Sequence, residues 1–155
     1  MLDWLKFVVA PPEPAGPAQT FKRFDVSDSL IVQDDVTVEV DAWRIDCPGE
    51  SSVPLFELEL PEVENCLLTY RGDLKTEDAA GKVYLEMWCR FPGRGEFFSK
   101  GVDKALKGTN DWGSYEVPFY LTTGQKPDLI KLNIAAESEA RVWVKNLELL
   151  YADYG

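Results

Sequence analysis

The sequence predicts an all-β protein, an antiparallel β-sandwich with little helix. Three observations predict it. From residue 21 onward the element changes every 8 to 15 residues. Most of these runs alternate apolar and polar residues with a period of two, which gives a strand one dry face and one wet face. No apolar stripe with a 3.6-residue period lasts long enough for a major helix, and no strand–helix–strand alternation occurs, so the strands are expected to pair antiparallel.

The elements follow in order. Residues 2–10 form a short apolar leader, and residues 11–19, "PPEPAGPAQ", form a proline-rich linker. The domain division expected is therefore 1–20 for leader plus linker and 21–155 for the sandwich. Trp4, Phe7, Val8 and Val9 would make a sticky patch if left bare. They are expected to pack back on the domain or to dock on another copy of the chain, which makes residues 1–10 the candidate for homo-oligomer formation. "DVTVEVDAWRIDC" (35–47) reads as one strand with Val36, Val38, Val40 and Ala42 on its dry face. "VPLFELEL" (53–60) sets Phe56, Leu58 and Leu60 against Glu57 and Glu59. "NCLLTYRGDLKT" (65–76) and "KVYLEMWCRF" (82–91) read as separate strands around the turn cluster "EDAAGK". "KGVDKALK" (100–107) suits a turn or two of helix, and "KGTNDWGS" reads as a turn. "SYEVPFYL" (114–121), "DLIKLNIAA" (128–136) and "ARVWVKNLELLY" (140–151) complete the set.

Composition narrows the function. The chain has 155 residues, enough for one domain with a two-layer core. Acidic residues outnumber basic ones 27 to 16, for a formal charge of −11. That field repels a phosphate backbone, so nucleic acid is not expected as a partner. There is no histidine. This removes the commonest acid–base group, the histidine-activated nucleophiles and the usual zinc ligands. Paired carboxylates such as Asp34–Asp35, Glu57/Glu59 and Glu137/Glu139 sit where solvated strand residues sit, and no phosphate loop or nucleophile elbow is present. No catalytic residue and no metal ligand is assigned, and the protein is not expected to be an enzyme.

Cys47, Cys66 and Cys89 are an odd number with no CxxC spacing; they read as free thiols, with a Cys47–Cys66 bridge as the alternative. The run "MLDWLKFVVA" is too short to span a bilayer and has no basic n-region. The chain as written is expected to be soluble and cytoplasmic.

Three landmarks carry a resemblance: "YRGDLKTEDAAGKVYLEMWCRF", then "LKGTNDWGSYEVPF", then "KPDLIKLNIAAESEARVWVKNLEL". In order and spacing, residues from about 65 to 150 resemble the jelly-roll, galactose-binding-like domains to which many carbohydrate-binding modules belong. The resemblance implies a jelly-roll sandwich and a carbohydrate ligand. It also implies a structural calcium ion, held in part by an aspartate after the Val-Trp-aliphatic run. This chain has Lys145 there. An ammonium group cannot ligate a hard cation, so no cofactor is expected.

Within the strand 82–91, the register opposite the apolar one shows Tyr84, Glu86, Trp88 and Arg90. Ring faces stack on the CH groups of a sugar while Arg and Glu bond its hydroxyls, so Tyr84, Trp88 and Arg90 are the first candidate ligand-binding residues. If a second layer covers that face, Tyr84 and Trp88 are core instead. Arg71 and Trp112 are the second candidates. Arg71 and Arg90 would share a cleft, or the two would pair with Glu57 and Glu59. Trp112 would either rim a pocket or fold under its own turn as a plug, its indole N–H bonded to a loop carbonyl. Trp43 and Trp143 are expected in core or edge packing. The function read from all this is a non-catalytic module that binds a carbohydrate or another polyhydroxylated ligand. The alternative is a structural or protein-interaction domain on the same sandwich.

Overall fold

The structure, a computed structural model, describes residues 16–28, 30–31 and 34–154; the leader at residues 1–10 lies outside them. Among the described residues, nine strands make up almost all the regular structure: β1 (Gln19–Phe24), β2 (Val36–Val38), β3 (Trp43–Cys47), β4 (Ser51–Glu59), β5 (Cys66–Phe91), β6 (Gly95–Lys100), β7 (Leu106–Tyr120), β8 (Leu129–Ala136) and β9 (Ala140–Asp153). The segment expected as a turn or two of helix holds a single 3-10 turn at Val102–Lys104. No helix among the described residues is long and apolar enough to cross a membrane.

All pairings are antiparallel, and they form two layers that share one strand. The first half of β5 lies between β7 and β9, with Leu68 opposite Phe119 on one side and Tyr151 on the other. The far side of β9 takes β1 along one stretch and β3 along another, and β2 pairs outside β3. The second half of β5 lies between β6 and β8, and β4 closes the second layer outside β8. The inner faces of the two layers meet in one core. Tyr70 donates its buried hydroxyl to the Asn133 carbonyl across the sandwich at 3.3 Å. Phe24 of β1 stacks on Phe56 of β4 at 4.1 Å, and Trp43 of β3 meets the same ring edge-on at 5.7 Å.

The crossing from one layer to the other explains "EDAAGK". These residues are no hairpin: β5 runs through them as a single strand of 26 residues. Cys66, Leu68, Tyr70 and Leu74 face inward before the crossing; Leu85, Met87, Cys89 and Phe91 face inward after it. Between them Asp78 takes a positive φ of 53°, and the pairing with β7 slips at three places. Strand residues that leave one sheet for another need polar, small and flexible side chains, the same composition that a turn needs.

The "KGTNDWGS" stretch is likewise not a turn but part of β7. Gly108, at φ 81°, makes room for a bulge. Asn110 Nδ2 then donates to Thr76 Oγ1 at 3.1 Å and to the Lys107 carbonyl at 2.9 Å, and Thr76 Oγ1 donates to the Gly108 carbonyl at 3.1 Å. The turn-like residues stitch β7 to the crossing of β5.

Three other expectations change. Residues 35–47 form the hairpin β2–β3, with Val36 opposite Ile45. Val40 stands at its tip, 97% exposed, instead of on a dry face. In β4 a bulge between Pro54 and Phe56 turns Leu55 inward, and Leu60, at φ 46°, points to solvent. Gln19 and Thr20, expected in the linker, already belong to β1. Cys47, Cys66 and Cys89 are free and buried.

Candidate functional site

The five residues read as candidates divide between two faces. Tyr84, Trp88 and Arg90 lie on the outer face of the second layer, whereas Arg71 and Trp112 lie on the outer face of the first. Arg71 and Arg90 therefore share no cleft, because β5 changes layers between them.

On the second layer, Tyr84 is only 9% exposed; Gly101, which donates its N–H to the Leu85 carbonyl at 3.0 Å, lies beside it. Trp88 is half-buried and tilts against Phe98 of β6 at 5.1 Å, with Lys100 Nζ 4.5 Å from the Phe98 ring centre. Arg90 is bonded to Asp128, its Nε 2.9 Å from Oδ1, and not to Glu57 or Glu59. That bond raises its pKa further above the ordinary guanidinium value. Beneath these side chains Glu86 is almost fully buried. Burial by itself would push its carboxyl up, but donors from Ser52 (2.5 Å), Asn133 (3.0 Å) and the Trp88 indole, with the Lys100 charge, hold it below the ordinary carboxylate value.

The first layer carries the denser arrangement. Trp112 of β7 and Trp143 of β9 are both half-buried on the outer face, on the two strands that flank β5. With one strand between them the two backbones stand about 10 Å apart. The bulge in β9 sets this face. Asn146 takes φ 53°, so Val142 and Val144 point inward before it and Leu147 and Leu149 after it. That leaves Trp143, Lys145 and Glu148 outward. From β5, Arg71, Asp73 and Lys75 share the same face.

Trp112 does not plug its own strand. Its ring lies under Lys145 Nζ, 4.2 Å from the ring centre, and Lys145 also pairs with Asp41 of the β2–β3 connection at 3.7 Å. The Trp143 ring carries Lys75 Nζ at 5.0 Å, and its indole N–H donates to Glu39 Oε1 at 3.0 Å. Arg71 Nε donates to Glu148 Oε1 at 3.0 Å, and Arg23 of β1 reaches the other oxygen at 3.3 Å. Asn146 Nδ2 donates to Asp73 Oδ2 at 2.7 Å. The arrangement offers two flat apolar rings interleaved with hydrogen-bonding groups, the combination that holds a pyranose.

Trp143 was expected in core or edge packing, and Lys75, Asp73 and Glu148 were not singled out from the sequence. The period-two register around "RVWVK" gave the signal for Trp143: Val142 and Val144 inward require Trp143 outward. The position where the resemblance would set a calcium-binding aspartate holds Lys145, stacked on Trp112. That donor set does not fit a calcium ion, and among the described residues no group of three or more acidic, Cys or His side chains is placed to hold a metal.

No protein-family model matches the chain, and no curated protein sequence matches it. Among solved structures it is similar to the CBM22-1 xylan-binding domain of Xyn10C from Paenibacillus barcinonensis. The TM-score is 0.64 and the identity 11%, over 91% of this chain and 99% of that one. It is also similar to the enzymatically active domain of bacteriophage CBA120 tailspike protein 4. There the TM-score is 0.50 and the identity 4%, over 85% of this chain but 18% of that one. A family 30 carbohydrate-binding module aligns at a TM-score of 0.48 and 14% identity, over 89% of this chain and 94% of that one. The chain has the antiparallel β-sandwich fold found in carbohydrate-binding modules.

Proposed function

We propose that the protein is a non-catalytic module that binds a carbohydrate, or a ligand equally rich in hydroxyls, on the outer face of its first layer. One observation carries this reading: two half-exposed tryptophans share that face across a single strand, with Arg71, Asp73, Lys75, Lys145 and Glu148 among them. Indole faces cover the CH surface of a sugar ring, and the polar groups take its hydroxyls. The likeness of fold to the xylan-binding domain supports the class of ligand without naming the sugar. The second layer offers less. Tyr84 is withdrawn from solvent, and Trp88 gives its N–H to Glu86 and one side of its ring to Phe98.

Affinity electrophoresis of the native protein through gels containing single polysaccharides tests the reading. Trp143→Ala and Trp112→Ala are each expected to weaken retention about 30-fold, the size of a central aromatic contact. Trp88→Ala is expected to leave it unchanged. Retention lost in Trp88→Ala and kept in Trp143→Ala would move the site to the second layer.

A protein-interaction role is the second reading, and one feature favours it: Val38 and Val40 stand exposed on the β2–β3 hairpin. Absence of binding to any glycan, with self-association that Val40→Ser abolishes in sedimentation, is the outcome that would select it.

A further inference from the structure

Resting on the reading of the Trp112–Trp143 face as a saccharide site, we propose that its preferred ligand is acidic: a glycan whose rings bear carboxylates. Each tryptophan ring is already occupied by an ammonium group, Lys145 over Trp112 at 4.2 Å and Lys75 over Trp143 at 5.0 Å. A pyranose that stacks on either ring takes the place of that ammonium. The displaced cation stays tethered to the same face, beside a ligand that has just excluded water from it.

Three carboxylates on this face are engaged, while Glu116 of β7, opposite Arg71, stands exposed to solvent. Glu148 accepts from both Arg71 and Arg23. Asp73 accepts from Asn146. Glu39 accepts from the Trp143 indole and pairs with Arg44 at 3.6 Å. The lysines are held more loosely. Lys145 has a 3.7 Å contact with Asp41, whose side chain is 72% exposed, and the partner of Lys75 among the described residues is the ring itself. Such surface contacts are weak and exchange readily. A neutral sugar displaces two ammonium groups and offers them no counter-charge. A uronate offers a carboxylate to each, in a partly dehydrated setting where a charge-assisted bond is strong. The formal charge of −11 slows the approach of any polyanion, but exposed charges beyond about 8 Å are largely screened at physiological ionic strength, so the two lysines at contact set the preference.

The test is calorimetric titration with a panel of oligouronates, each beside its own methyl ester, in which the ring is kept and the charge removed. Neutral xylan and mannan oligosaccharides complete the panel. The native protein is expected to bind at least one free acid about tenfold more tightly than its ester. The double variant Lys75→Gln, Lys145→Gln is expected to keep its Tm and to bind acid and ester with equal affinity. Equal affinity for acid and ester in the native protein, or binding confined to neutral glycans and lost in Trp143→Ala, would overturn the acidic preference and leave the saccharide site standing. Binding to nothing in the panel would overturn both.

Discussion

The Glu86 carboxylate lies almost wholly out of water, yet it stays ionised more readily than a free glutamate because Ser52, Asn133, Trp88 and Lys100 all favour its charged form. Its pKa in the folded protein is below its unfolded value of about 4.5. Such a group adds stability that is complete above the unfolded pKa and disappears as the pH falls through the folded one. Glu86→Gln is therefore expected to cost about 1–3 kcal/mol at pH 7. The gap in Tm between variant and native protein should close as the pH drops below about 4.5, which thermal melts across that range would reveal. The thiols offer a second check at this scale. Burial raises the Cys66 pKa to about 11 and pushes that of Cys47 upward as well, so alkylation of the native protein at pH 8 should be slow and should become fast on unfolding. At the level of single residues the sequence was most legible where alternation was strict. The outward register of Tyr84, Trp88 and Arg90 follows from the inward one of Leu85, Met87 and Cys89. How far each side chain then reaches solvent was not legible. Tyr84 is shut away by Gly101 and its neighbours, which arrive from another part of the chain.

Strands and turns were legible to a different degree. Alternating runs became strands, but composition misnamed two of the junctions between them. "EDAAGK" and "KGTNDWGS" hold the residues of turns because a strand that bends between layers, and a neighbour bulged to follow it, need the same freedom of backbone. The bulge in β9 likewise rests on a glycine. Gly72 stands opposite the Asn146–Leu147 step, and a Cβ there would lie 2.5 Å from Leu147 Cδ2. Leu147 is fully buried, so it has little room to give way. Gly72→Ala is expected to cost about 1–3 kcal/mol, the size of an overpacking penalty. Because the bulge sets the outward register of Lys145 and Glu148, the same variant should also weaken any glycan affinity, and denaturant titration beside calorimetry measures the two effects separately.

At the scale of the molecule, the sandwich was legible and the pairing of its strands was not. Alternation says which side of a strand is dry; it does not say that β1 and β3 would line up along the same edge of β9. Hence Arg71 and Arg90, nineteen positions apart in sequence by their numbers, looked like neighbours and lie on different faces. The core binds both layers into one unit, so unfolding should be a single transition, with near-ultraviolet dichroism and tryptophan fluorescence changing together. Pairings between distant segments also make folding slow, in milliseconds to seconds. One strand, β5, has a different standing from the rest. Its first half is paired within one layer and its second half within the other, so it acts as the spine of the molecule. A protease nick near Asp78 would divide both layers, parting β4 from β8 and β1, β3 and the first half of β5 from β9. Reassembly of two such pieces would have to rebuild the spine before either slab could be complete.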